Sequence, residues 1–226
     1  MVHFVGAGPG ASDLITVRGD RLLREADVVI YAGSLVNPEL LKGCRTDCAV
    51  YDSAYMTLEE VLEVIRDAER RGEMTVRLHT GDPSIYGAIR EQMDALDRMG
   101  IAYDVCPGVS SFCGAAAALN LEYTLPEVSQ SVIITRMEGR TKVPEKESIR
   151  SFAAHQATMV LFLSTGLLEE LSGELIAGGY KEDTPAAIVY KASWPEEAVY
   201  RCTVGTLAAT AREKGVARTA LIVVGN

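Results

Sequence analysis

The 226-residue chain carries 22 Lys and Arg against 31 Asp and Glu, a net charge of −9, which excludes the clustered basic footprint that phosphate neutralisation by a nucleic-acid binder requires. Its hydrophobic content of 48% with 23% charged residues is that of a globular protein. No apolar run approaches the roughly 18 residues a membrane span needs and no basic leader precedes the first strand, so the expected location is cytoplasmic. The five cysteines form no Cys-x-x-Cys pair and read as reduced thiols; His3, His79 and His155 lie in or beside apolar runs, and no metal is assigned.

In chain order, Val2 to Val5 is predicted as a buried strand that runs into Gly6-Ala7-Gly8-Pro9-Gly10-Ala11-Ser12-Asp13. This loop has few side chains and stands at a strand's carboxyl end, the edge where open α/β sheets bind ligands. Its glycines approach a dinucleotide fingerprint and miss it. The third glycine would stand at Ala11, and Pro9, Ser12 and Asp13 prolong the loop where a helix should start. The second strand, ending Val28-Val29-Ile30-Tyr31-Ala32-Gly33, carries no carboxylate to hold a ribose. A helix is expected from Thr16 to Ala26, a strand from Val28 to Tyr31, a short helix near Pro38 to Leu41 and a short strand from Ala49 to Tyr51. Thr57-x-x-Glu60 is a capping box that opens a helix to Arg71, stopped by Gly72. The strand Met74 to His79 ends in Thr80-Gly81-Asp82-Pro83-Ser84, with a helix following through Met99. The strand Ile101 to Cys106 runs into Pro107-Gly108-Val109-Ser110-Ser111, and the helix Phe112 to Leu119 is almost wholly small and apolar.

Residues 120 to 130, broken by Pro126, read as a linker. Beyond it, strands are expected from Ser131 to Thr135, Met159 to Leu163, Ala186 to Tyr190 and Ala220 to Val224. Helices are expected from Pro144 to Ala154, Leu167 to Ala177 and Leu207 to Lys214. The fold class is α/β, as two α/β domains at 1–122 and 123–226.

The loops at these strand ends hold no catalytic constellation. Ser84, Ser110 and Ser111 lack a triad motif, and neither a Gly-x-Ser-x-Gly elbow nor a Gly-Lys-Ser/Thr phosphate loop occurs. Asp82, between Gly and Pro, is the one carboxylate set apart from helix faces, with a turn aspartate as the alternative reading. Many small-residue loops and few acids or bases suit chemistry whose reactivity the ligands bring. Methyl transfer from S-adenosylmethionine is such a reaction, because the sulfonium is the electrophile and alignment carries much of the catalysis.

Val5-Gly6-Ala7-Gly8-Pro9-Gly10 with Leu14-Ile15-Thr16-Val17-Arg18-Gly19, Gly81-Asp82-Pro83-Ser84-Ile85-Tyr86-Gly87, Pro107-Gly108-Val109-Ser110-Ser111 and the closing Arg218-Thr219-Ala220-Leu221-Ile222-Val223-Val224-Gly225 together resemble the tetrapyrrole methylase family. The motifs fall in the family's order over nearly the whole chain. Tyr31 to Val36, Leu125 to Arg136 and Arg140 to Glu145 are similar to the branch that methylates precorrin-4 or its cobalt form at C-11 in cobalamin synthesis.

The resemblance implies the class III methyltransferase fold, with a folded S-adenosylmethionine in the cleft between two α/β domains, and a homodimer. Its small-molecule partner is a polycarboxylate tetrapyrrole, with no nucleic acid or membrane involved. Carried over by motif, the cofactor contacts are Pro9, Gly81, Asp82, Pro83, Ile85, Tyr86, Ser110, Ser111, Leu163, Ala192, Thr219 and Ala220. The substrate contacts are Gly8, Ser12, Arg18 and Arg136, and no catalytic base is assigned. Thr80 replaces the Gly, and Leu163-Ser164 the Met-Gly, of related uroporphyrinogen methylases, which implies a reshaped pocket. The alternatives are a uroporphyrinogen-III or other precorrin methylase, a diphthine-type protein methylase or an rRNA ribose methylase. Outside the family, the alternatives are an NAD-dependent oxidoreductase and a non-catalytic ligand-binding module.

Overall fold

The apolar, β-branched runs of the first half become Val2–Gly6 (β1), Val28–Tyr31 (β2), Ala49–Asp52 (β3), Thr75–His79 (β4) and Tyr103–Cys106 (β5). In this computed structural model, which describes residues 1–139 and 141–226, all neighbouring pairs among them are parallel, in the order β3-β2-β4-β1-β5. Arg140, part of the Arg140 to Glu145 motif, lies outside the described residues. The chain divides into two compact units, Met1–Cys113 and Gly114–Asn226.

Parallel strands covered on both faces are apolar throughout, and β1 and β4 are buried at every position. On one face Val5, Val29, Val76 and Leu78 pack with Leu22, Leu23 and Ala26 of and beside Val17–Glu25 (α1). On the other, Val2, Phe4, Val28 and Ile30 meet Val61, Ile65 and Ala68 of Leu58–Arg70 (α2) and Leu96 of Arg90–Met99 (α3). The capping box is formed as expected. Thr57 Oγ1 accepts from the Glu60 amide at 3.2 Å and Glu60 Oε2 from the Thr57 amide at 2.7 Å, an end-cap whose loss typically costs about 1 kcal/mol.

Three local expectations change. The opening loop contains a 3-10 turn, Ser12–Leu14, before α1 begins at Val17. The helix after Ser84 starts only at Arg90, because Tyr86 and Ala88 adopt φ of +54° and +51°, a left-handed backbone that cannot enter an α-helix. The span from Pro144 to Ala154 splits into a 3-10 turn, Glu145–Glu147, and Ile149–Ala153 (α5), since Ser148 is extended and caps the second piece through its side chain.

Ser111–Leu119 (α4) leads to the second sheet, built from Val132–Arg136 (β6), Thr158–Phe162 (β7), Pro185–Tyr190 (β8), Ala198–Thr203 (β9) and Ala220–Val224 (β10) in the order β6-β7-β10-β8-β9. β6 and β7 are parallel; β10 is antiparallel to β7 and to β8, and β9 to β8. Sequence patterning missed β9, an edge strand in which no residue is fully buried. Its core packs the sheet against α5, Leu168–Ala177 (α6) and Leu207–Lys214 (α7) through Ile149, Leu171, Leu175, Leu207, Met159, Leu161, Ile188 and Ile222. This register carries the carboxyl ends of β6, β7 and β8 to one edge, together with the amino end of β10. No helix among the described residues is long and apolar enough to cross a membrane.

Candidate functional site

In the first unit, the carboxyl edge of β4, β1 and β5 is bare main chain. The Ala7 amide donates to the His79 carbonyl at 2.7 Å, and Gly8 and Gly81 exchange hydrogen bonds of 3.2 and 2.8 Å, zipping the opening loop to the loop after β4. Gly8 and Gly81 sit at φ +80° and +60°. A Cβ on Gly6 would lie 2.5 Å from Gly108 Cα and 2.6 Å from the Gly81 oxygen. Three strand ends therefore touch backbone to backbone, a closeness open only to glycine.

Asp82 fastens this edge. Its Oδ2 accepts from the Gly108 amide at 2.8 Å, while Oδ1 accepts from the Ser84 amide at 2.8 Å and from Ser84 Oγ. Burial pushes the carboxyl pKa up, but the bonds from Ser84 and the Gly108 amide outweigh it and hold the group below the usual carboxylate range. The turn reading was half right: the Ser84 bonds are local, whereas the Gly108 bond joins the loops after β4 and β5. Pro9 and Pro83 are buried, Ile85 is half-buried, Tyr86 is exposed at φ +54°, and buried Ser110 precedes α4. The structure thus gathers Gly8, Pro9, Gly81, Asp82, Pro83, Ile85, Tyr86, Ser110 and Ser111 in neighbouring loops of one edge. Ser12 and Arg18 stand further along, in the 3-10 turn and the first turn of α1, both exposed. Asn37 anchors the intervening loop by donating to the Gly10 carbonyl at 2.9 Å.

The second unit places Leu163, Ala192, Thr219, Ala220 and Arg136 at the shared edge of its sheet. Leu163, Lys191, Ser193 and Thr219 take φ of +51°, +44°, +66° and +57°. Such backbone costs on the order of 1 kcal/mol or more per non-glycine residue and clusters at functional sites. The Lys191 amide donates to the Thr219 carbonyl at 3.0 Å, and Ala220 pairs with Tyr190, so the Ala192 loop and Thr219 are held together. Arg136 spends its guanidinium on its own loop: Nη1 donates to the Met137 and Thr141 carbonyls and Nη2 to that of Lys142, at 3.1 to 3.2 Å. Ser164 is fully buried, accepting from the Met137 amide at 2.9 Å and donating to the Phe162 carbonyl at 2.7 Å. A glycine there could not tie the ends of β6 and β7 in this way.

β4 also buries two polar residues, His79, which the sequence already places beside an apolar run, and Arg77, which sequence patterning missed because its neighbours read as an ordinary apolar strand. His79 is 4% exposed, and its Nε2 has no hydrogen-bond partner among the described residues. Burial, with the charge of Arg77, pushes its pKa down to about 3. The unfolded chain binds a proton there near pH 6.5 and the folded chain does not, so stability falls as pH drops from about 6.5 toward 3. Urea titrations should show a slope of about 1.4 kcal/mol per pH unit from this group, absent in His79→Leu; equal slopes in both proteins would place the acid sensitivity elsewhere.

A profile of the tetrapyrrole (corrin/porphyrin) methylases matches residues 1–208. The chain belongs to this family. A protein of Methanocaldococcus jannaschii named cobalt-precorrin-4 C(11)-methyltransferase is 53% identical over 224 residues, 99% of this chain and 86% of that one. The crystal structure of a cobalamin biosynthetic enzyme, cobalt precorrin-4 methyltransferase, superposes with a TM-score of 0.97 at 47% identity, covering 99% of this chain and 94% of that one. Uroporphyrin-III C-methyltransferase from Thermus thermophilus, complexed with S-adenosylhomocysteine, gives 0.80 at 28%, covering 99% and 91%. The oxidoreductase alternative is not favoured.

Proposed function

We propose that this chain transfers the methyl group of S-adenosylmethionine to C-11 of precorrin-4, free or as its cobalt form, in cobalamin synthesis. The observation that supports methyl transfer is the edge at Gly6, Gly81 and Gly108, where three strand ends meet backbone to backbone with no room for a Cβ on Gly6 or Gly108, which brings the small-residue loops after β1, β4 and β5 together as one ligand-binding edge. The choice of C-11 rests on full-length likeness to proteins of that name.

Pro9, Gly81, Asp82, Pro83, Ile85, Tyr86, Ser110 and Ser111 of the first unit would hold the cofactor, and Leu163, Ala192, Thr219 and Ala220 are its proposed contacts in the second. When bound, the cofactor supplies a methyl on a sulfonium that leaves as a neutral thioether once the methyl joins carbon. The chain's task is alignment and exclusion of water. Asp82, with both oxygens bonded and ionised below the usual range, shapes the loop and does not take up the substrate's proton. Gly8, Ser12, Arg18 and Arg136 are proposed to meet the polycarboxylate macrocycle. Arg18 offers an exposed guanidinium in the first turn of α1, while Arg136 adds its charge from a loop it holds closed. The protein acts as a cytosolic homodimer.

Anaerobic incubation with S-adenosylmethionine and precorrin-4 or cobalt-precorrin-4, followed by mass and NMR assignment, should show one new methyl at C-11. A methyl at any other carbon overturns the substrate assignment and leaves the chemistry standing. Calorimetry should show tight S-adenosylhomocysteine binding and none of NAD. Trp194, the single tryptophan, lies two residues past Ala192 and should report the same titration by fluorescence.

A further inference from the structure

Arg77 is 7% exposed on the face of β4 that packs among Val2, Phe4, Val28 and Ile30, and no ion pair to a carboxylate compensates it among the described residues. A buried cation without a counter-charge is unfavourable, and burial pushes its pKa down to about 10. An apolar residue would fill the position. What the guanidinium adds is donation in three directions: Nε to Gln92 Oε1 at 3.1 Å, Nη1 to the Ile30 carbonyl at 3.0 Å and Nη2 to Ser53 Oγ at 3.0 Å.

Arginine has no acceptor, so the first bond decides which way the Gln92 amide faces. Its oxygen meets Arg77, and its nitrogen is turned to the Ala88 carbonyl, to which it donates at 3.1 Å. Ala88 closes the segment in which Tyr86 and Ala88 both take left-handed backbone, directly after the loop at Gly81, Asp82 and Ile85. Gly87 packs there so tightly that a Cβ would fall 2.1 Å from the Pro83 carbonyl oxygen. Ser53, bonded to Arg77, donates in turn to the Tyr31 carbonyl at 3.0 Å, so the same guanidinium ties the carboxyl end of β2.

We propose that Arg77 is a positioning residue that acts through Gln92 to hold the 82–89 loop in the left-handed turn from which it meets the cofactor. The cofactor half of this statement rests on the methyltransferase function proposed above; the loop half does not. Arg77 itself is buried in the sheet face, with its three bonds spent on Gln92, Ile30 and Ser53.

Gln92→Glu separates positioning from simple stability. It keeps an oxygen for Arg77, now as a carboxylate, and loses only the N–H that reaches Ala88. The variant should melt no lower than wild type, yet exchange its amide hydrogens across 84–89 about tenfold faster without ligand and bind S-adenosylhomocysteine about tenfold more weakly, the equivalent of one hydrogen bond. In turnover, KM for S-adenosylmethionine should rise with kcat nearly unchanged. Arg77→Lys, lacking the planar fork, should move exchange and affinity the same way, and Arg77→Met further. If Gln92→Glu leaves both exchange and affinity within twofold of wild type, the relay is wrong. Should wild type itself fail to bind S-adenosylhomocysteine, the proposed function falls, and the exchange measurement on the unliganded protein still decides the relay.

Discussion

Replacing Gly108 with alanine is expected to abolish measurable S-adenosylhomocysteine binding and to destabilise the protein by about 3 kcal/mol or more, the upper range for overpacking a rigid site. The added Cβ would stand 2.1 Å from the Gly81 oxygen and 2.7 Å from Gly6 Cα. Both neighbours are main chain, so no rotamer change relieves the clash. Moving Gly81 away breaks its paired bonds with Gly8, and moving Gly6 displaces the end of β1 from its place between β4 and β5. Urea unfolding measures the stability and calorimetry the binding. Gly173→Ala in α6 is the control: nothing lies within 4 Å of its Cβ, and the change should be neutral or stabilising by up to about 1 kcal/mol. Wild-type affinity in Gly108→Ala would show that the ligand does not use this edge.

Asp82→Ala is expected to weaken S-adenosylhomocysteine binding by about 2 kcal/mol, roughly 30-fold, because it strips the acceptor from the Gly108 and Ser84 amides at once. Asp82→Asn should be nearly as damaging despite equal size, since its NH2, itself a donor, must face one of the donors on Ser84 or Gly108 that the carboxylate oxygens accept from. The carboxylate's pKa lies below its ordinary range, so its contribution is complete above an ordinary aspartate pKa of about 3.9 and is lost as pH falls through the lower folded value. Affinity should therefore stay flat from pH 8 to pH 5 and decline only below about pH 4. Between about pH 6.5 and 4 only His79 erodes global stability, so measuring affinity and unfolding in parallel over that range separates the two groups. A binding profile that titrates near pH 6 in the wild type and not in His79→Leu would assign the pH dependence to the histidine.

The elements most legible in the sequence were those held by signals within a few residues. Thr57 and Glu60 announce α2 because both halves of the capping box lie in one turn. Val28–Tyr31 and Ala220–Val224 were legible to the residue as compact apolar runs that follow Asp27 and Thr219, and Leu207–Lys214 as a helix between Thr206 and Gly215. β9 was not, because an edge strand paired only to β8 and half exposed along its length needs neither alternation nor a continuous apolar run. The late start of α3 was hidden for a different reason. Residues 84–89 contain no breaker except Gly87, and the contact that reaches this segment from beyond it, Gln92 onto the Ala88 carbonyl, follows from a side-chain direction that Arg77 sets.

The site divides along the same line. By itself the sequence determined that the loops after β1, β4 and β5 are built from Gly, Pro and Ser, that the opening loop is prolonged where a dinucleotide fingerprint would start its helix, and that Asp82 stands between Gly and Pro where a local turn is open to it, since each depends on side chains that are present or absent locally. Only the tertiary structure decided that Gly6, Gly81 and Gly108 meet backbone to backbone, that the second oxygen of Asp82 reaches Gly108, and that Arg77 points into the sheet face toward Gln92. Those contacts join residues far apart in the chain and follow from the parallel register of β4, β1 and β5, which long-range burial sets and no local pattern records. The opening glycines allowed a close approach, and the fold supplied what approaches.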